Sequence, residues 1–269
     1  MLENDMGLRL GFFFGVLAAV ALWEHARPKR RLHIKRGIRW FSNLSLVGIS
    51  SITIRLILPF TAAGVALYAE QHGIGLLHLL SIPFAVAVIL SVLLLDLLIY
   101  AQHVTFHHVS LLWRLHKVHH IDQDIDVTTG VRFHPVEILL STLIKCAAVM
   151  LLGMPLIAVV IFEILLNASS MFNHGNISLS EKPDRWLRLI VVTPDMHRVH
   201  HSIIKEENNS NFGFNLPVWD RIFGTYQAQP EKGHIQMEIG LKEYRDVSRT
   251  GLMELLLIPF RNKVKGIIL

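Results

Sequence analysis

Residues 103 to 120, HVTFHHVSLLWRLHKVHH, hold six of the chain's 16 histidines. They are His103, His107, His108, His116, His119 and His120, and the closing His-x-x-His-His pattern returns at His197, His200 and His201. Positions i, i+3 and i+4 share one face of a helix, so His116, His119 and His120 can point at a common centre, and His103 and His107 can do the same. Neutral imidazoles at this density bind a transition metal through one ring nitrogen and a second-shell acceptor through the other. The competing reading is a stack of histidines that only hydrogen-bond to one another, an arrangement that is costly to bury beside a membrane. Nitrogen ligands suit iron, zinc, copper or nickel, so the ligand set alone does not choose the metal. With a single cysteine, Cys146, any metal must be carried by histidine, and an internal disulfide is excluded.

Composition says where such a site must sit. Apolar residues make up 52% of the 269 and charged residues 17%, with a mean hydropathy of +0.43; these are values of an all-α, polytopic integral membrane bundle. The net charge of +5 gathers in short segments beside apolar runs, which reads as topology and headgroup contact rather than nucleic-acid binding. Residues 6 to 23 are long enough to span. They follow an acidic start and precede RPKRR, so they read as a retained anchor and not as a cleaved signal. The basic stretch from Arg27 to Arg39 is then expected in the cytoplasm, with the amino terminus outside. A second run, 42 to 68, carries Arg55 and Pro59. A third, from about Leu77 to Tyr100, returns and continues into the first histidines.

On that third helix Asp96, Tyr100, His103 and His107 form one stripe, which makes Asp96 a candidate acceptor for a proton of a ligating imidazole. Residues 121 to 134 are polar and are expected to cross above the membrane surface. Pro135 fits the first turn of a helix, with His134 near its N-cap. The run 136 to 172, broken at Gly153 and Pro155, must go out and come back, because a single crossing would separate the two histidine clusters across the bilayer. His174 emerges where it ends. Trp186 and its neighbouring arginines read as an interfacial helix, and the tail from Gly251 to Leu269 as a surface amphipathic helix. The polar loop between, residues 205 to 226, either closes over the bundle or walls a substrate pocket. The parts are residues 1–75, the N-terminal helices with a basic loop; 76–227, the histidine-bearing domain; and 228–269, the tail.

At these residues the sequence resembles the fatty acid hydroxylase and sterol desaturase superfamily of membrane diiron oxidoreductases. The resemblance covers roughly residues 90 to 227. It runs through His103-x-x-x-His107, His116-x-x-His119-His120, Arg132-x-His134-Pro135, Asn173-His174, Pro194-x-x-His197-x-x-His200-His201 and Asp220-x-x-Phe223-Gly224-Thr225. It implies two iron ions, replaceable by zinc on purification. The ligands it implies are His103, His107, His116, His119, His120, His174, His197, His200 and His201, with His134 a further candidate. Asp96, Tyr100, Asn173 and Asp195 are candidates for the shell behind them. His108 points about 100° away from His107 and is expected at the surface.

The implied chemistry is hydroxylation or desaturation of a lipid such as a fatty acyl chain or sterol, on the cytoplasmic side. Attack on an unactivated C–H bond is beyond amino-acid side chains and needs a redox metal. Electrons would come from an external cytochrome, ferredoxin or reductase, since the chain has no haem-attachment or flavin fingerprint. The alternative is a non-redox membrane protein that binds or transports metal at a polyhistidine zinc site. A transporter would place ligands within its spans, whereas these lie where apolar runs end.

Overall fold

The computed structural model describes residues 2–246 and 251–261. Among these, five stretches are long and apolar enough to cross a membrane, and only 17 to 39% of each is buried inside the protein. Large apolar side chains such as Phe14, Leu22, Leu56, Phe84 and Ile89 stand exposed on them. An exterior of that kind is stable in lipid, not water, and the chain is a multi-pass helical membrane protein.

Helix α1 (Leu2–Ala26) leads through the basic segment into α2 (Arg36–Ile57). The apolar run expected as one span over 42 to 68 is broken at Pro59: α2 ends at Ile57, Thr61 caps the next helix, and α3 is Ala62–His72. Proline supplies no N–H to continue the first helix. Arg55 is exposed in the last turn of α2. A short α4 (Leu76–Leu79) precedes α5 (Phe84–His108). The 103–120 segment is therefore two helices, because Val109 adopts an extended conformation and α6 (Ser110–His120) starts afresh.

The hairpin forms as expected from its glycine and proline. Helix α7 (Pro135–Leu152) ends on Gly153 at φ 67°, and α8 (Leu156–Asn173) begins after Pro155. Glu70 of α3 accepts a hydrogen bond from the Leu156 amide and so caps the returning helix. The helices α1 and α5 pack on α8, and α2 packs on α7. Leu95, Ile99, Val149, Val159 and Phe162 are among the residues that fill the core between α5, α7 and α8. A partly buried ionic group fastens α1 to the hairpin: Lys145 Nζ lies 3.0 Å from Glu163 Oε1, and Arg9 pairs with the other oxygen.

The segment 121–134 differs from expectation. It is polar, yet Asp122, Asp126, Thr128, Thr129 and Arg132 are all fully buried. Arg39 of α2 donates to Asp122 and Asp126, and Asn43 donates to Thr128. A loop whose carboxylates are neutralised by a buried guanidinium can enter the interior, and here it forms the inner layer of a cap. The rest of the cap comprises α9 (Glu181–Leu187), α10 (Pro194–His200) and the loop that follows. Trp186 is 70% exposed on α9, as an interfacial helix requires. The tail forms a short helix, Leu252–Leu257, whose Leu255 packs with Leu46 and Val118; Lys263 and Lys265 lie outside the described residues.

Candidate metal centre

Nine imidazoles come together in two adjoining groups. His103, His107, His116, His120 and His200 form one, and His119, His174, His197 and His201 the other, with the ligand atoms of each group all within 4.8 Å of one another. Nitrogens bound at about 2.1 Å to one ion are at most about 4.2 Å apart, so each group is close to one coordination sphere. The contributors are α5, α6, the last turn of α8 and α10. The two copies of His-x-x-His-His do not form one group each. His119 and His120 project to opposite groups, and so do His200 and His201, because neighbours on a helix diverge by about 100°.

The protons decide what these rings can do. His103 donates from Nδ1 to Phe212 O (2.7 Å), His119 to Arg132 O (3.2 Å), His174 to Ser170 O (2.7 Å) and His200 to Ser210 O (2.8 Å). His116 donates to Glu137 Oε1 at 2.6 Å. In each of these rings a neutral imidazole has only a lone pair left at Nε2. Nevertheless His119 Nε2 and His174 Nε2 lie 3.0 Å apart. Two facing lone pairs repel unless a cation lies between them. The buried Nε2 atoms of His103 and His200, and both ring nitrogens of His201, have no protein partner. This donor set fits metal ions, with His120 as the one ring whose Nδ1 receives a hydrogen bond, from Asn208.

Burial keeps the rings neutral. It holds His119, His120, His197, His200 and His201 well below the usual imidazole range, and neighbouring imidazoles push in the same direction. Burial brings His116 and His174 down to about 3. At neutral pH each is therefore in the form that ligates.

His134 is not brought to either group. Its Nδ1 accepts from the Val136 amide at 3.2 Å as the cap of α7, and Nε2 faces Leu256 O at 3.3 Å. His108 is exposed and bonds to Val104 O. Asp96 touches no imidazole: it accepts from Asn215 Nδ2 (2.8 Å), Trp219 Nε1 (2.8 Å) and the Leu216 amide (3.3 Å). Seven residues along a helix is about 10 Å, which leaves Asp96 too far back from His103 and beside the returning loop instead. Tyr100 bonds to Thr225, and Asn173 donates to Phe214 O. Asp195 is committed to Arg198, Lys29 (2.6 Å) and the neighbourhood of His234.

The five contacts of Asp96, Tyr100 and Asn173 all fasten residues 208–225, the loop whose carbonyls orient His103 and His200. Asp220 accepts from the amides of Phe212 (2.7 Å) and Gly213 (2.9 Å), so it fixes the turn that presents Phe212 O. A Cβ on Gly213 would lie 2.8 Å from Asp220 Oδ2, which is why glycine occupies that point. Glu137 escaped the sequence reading because a carboxylate at the third position of a helix normally caps it. The backbone acceptors on Arg132, Ser170, Ser210 and Phe212 carry no signature in side-chain identity at all.

The fatty acid hydroxylase family profile matches residues 88–225, just over half of the chain, and the protein belongs to that family. Ornithine lipid hydroxylase OlsE of Rhizobium tropici is 26% identical over 259 residues, 93% of this chain and 75% of the relative. Human alkylglycerol monooxygenase is 30% identical over 138 residues, 49% of this chain but 29% of that protein. Human lathosterol oxidase is 25% identical over 228 residues, 81% of this chain and 71% of the relative. No solved structure matches.

Proposed function

We propose that the protein is a dioxygen-dependent lipid hydroxylase with one iron ion in each histidine group, residues 76–227 forming the catalytic unit. One observation carries this reading: nine imidazoles converge in two adjacent groups, with ring nitrogens of His103, His197, His200 and His201 left without a protein partner, and the first group opens on an apolar cavity. That cavity, about 270 Å³, is lined by His103 and His116 with Phe106, Phe133, Ile99 and Phe214 among its apolar walls. Ser51 and Asn167, exposed on α2 and α8, also line it, so a lipid can enter sideways between those helices. The relatives act, by their names, on ornithine lipid, alkylglycerol and lathosterol, which supports an amphipathic lipid as substrate.

Bound iron would supply the redox chemistry of dioxygen activation that side chains lack. The chain's own residues hold His103, His116, His119, His174 and His200 by their Nδ1 protons, keep the rings neutral by burial, and exclude bulk water with Phe106, Phe133 and Phe214. In the overall reaction one oxygen atom enters a C–H bond and the other leaves as water. The two electrons and two protons this requires come from an external donor of the cytochrome, ferredoxin or reductase class. Desaturation differs only in which second hydrogen is within reach. The site lies at the end of α5 and α8 that carries the basic segment 27–39, whose charge supports a cytoplasmic location.

A zinc-transport role is the weaker reading, since the nine rings form one knot at the ends of the spans and not a file along them. The deciding experiment is lipid mass profiling of cells expressing the chain with iron and a reductant system. Hydroxylation predicts lipids heavier by one oxygen, desaturation lipids lighter by two hydrogens, and both must vanish in His119→Ala and His200→Ala. A lipid profile indifferent to both substitutions would sink the proposal.

A further inference from the structure

Six polar side chains in the wall of this cavity fall into two sets. Ser51 Oγ, Asn167 Nδ2 and Ser170 Oγ are all satisfied within the chain, by Val47 O, Glu163 O and Gly130 O. Ser50, Gln102 and Glu137 line the same cavity, and Ser50 Oγ, Gln102 Nε2 and Glu137 Oε2 are buried without a partner. Their residues are 6, 8 and 3% exposed. They come from three helices, α2, α5 and α7, so no local turn explains the coincidence. Buried polar groups in native proteins are hydrogen-bonded as a rule, and a group left open in a cavity is matched to what enters it.

Resting on the hydroxylase reading of the same site, we propose that Ser50, Gln102 and Glu137 recognise a polar linkage within the lipid, of the secondary-amide class, and hold it at the metal-facing end. The complementarity is chemical. Gln102 Nε2 and the Ser50 hydroxyl are donors suited to a carbonyl oxygen, and Glu137 Oε2 is an acceptor suited to an N–H. A bare hydrocarbon satisfies none of the three. Gln102 precedes His103 in the chain, and the other oxygen of Glu137 holds His116, so the carbon presented for oxidation is one beside the linkage and not one far along an alkyl chain.

The test is binding, separate from turnover. The full chain in detergent micelles, loaded with redox-inert zinc, is titrated with tritiated N-hexadecanoylglycine and with nonadecanoic acid, in which two methylenes replace the amide. The amide lipid is expected to bind about tenfold tighter or more, because a site with placed hydrogen-bonding groups rejects the analogue that lacks them. Ser50→Ala and Gln102→Met should each shrink that preference while leaving the affinity for nonadecanoic acid as it was. Equal affinity for the two lipids overturns the proposal, and shows the open groups to be satisfied by water. A variant that weakens both lipids alike overturns it too, assigning the residues to packing. With iron, dioxygen and a reductant supplied, a binding preference without any oxidised product defeats the hydroxylase reading alone. Oxidised product from both lipids, with no preference, defeats this inference alone.

Discussion

Glu137 Oε1 stands 2.6 Å from His116 Nδ1, and both side chains are almost wholly buried. A carboxylate in this position fixes the tautomer and the plane of the ring, leaving Nε2 to face the other four imidazoles of its group. Glu137→Ala should lower metal affinity at the five-histidine group by about 10- to 100-fold, while Glu137→Gln, which keeps an acceptor oxygen, recovers part of it. Metal analysis after dialysis against a graded chelator reads this directly. Unchanged retention in Glu137→Ala would rule out the orienting role.

Histidines 200 and 134 make a paired comparison. His200→Ala should bring the bound metal from two ions per chain toward one. His134→Ala should keep both ions and cost about 1 kcal/mol of stability through the lost cap of α7, which His134→Asn would restore. Loss of an ion in His134→Ala would return that residue to the ligand set.

Acid should loosen the protein in a definite direction. An unfolded histidine titrates near 6.5, whereas burial holds His116 and His174 at about 3. Below pH 6.5 the unfolded chain therefore binds more protons than the folded one. The stability these groups contribute is complete above that pH and falls as pH drops, by about 1.4 kcal/mol per pH unit for each group. Thermal melts of the metal-free protein at pH 7.5, 6 and 5 should show a steady decline. A flat profile would mean the rings are not held neutral.

Gly213→Ala places a methyl 2.8 Å from Asp220 Oδ2 and 2.9 Å from Leu216 O. Overpacking of this kind costs about 1–3 kcal/mol, and the displaced turn should carry Phe212 O away from His103. The expected result is weaker metal retention in the five-histidine group with the helical content unaltered by circular dichroism. Full retention would separate the turn from the ligand.

The ionic group Lys145–Glu163–Arg9 predicts a different phenotype. Glu163→Gln removes the anion between two cations in a partly buried setting, so a loss of about 1–3 kcal/mol is expected. Both metals should stay bound, since the group lies on the hairpin away from the imidazoles. Loss of metal with no change in melting would contradict this assignment.

The apolar runs, the hairpin at Gly153 and Pro155, and eight of the nine clustered histidines were legible from run length and histidine spacing, because both signals are local; His174 was legible only through the family resemblance. Which histidines share a group was not. The crossing of His119 and His120 into different groups depends on how α6 meets α8 and α10. Asp96 was misread for a related reason: a helical stripe fixes direction but not reach, and its partners lie more than a hundred residues onward, at Asn215 and Trp219. The burial of 121–134 was hidden because its compensation, Arg39, sits in a segment that looks like a basic surface run.

The loop from Ser210 to Phe214 holds rings on two elements, with Ser210 O on His200 and Phe212 O on His103. Those rings stand almost a hundred residues apart in the chain, and neither can reach its partners until α5 has met α10. Under the proposed function, ions that bind there would act as staples across distant segments, so that iron supply and final assembly of the cap would become one event. A cell short of iron would then accumulate an incompletely closed membrane protein, open to quality-control proteases, and abundance of the chain would track the metal it uses.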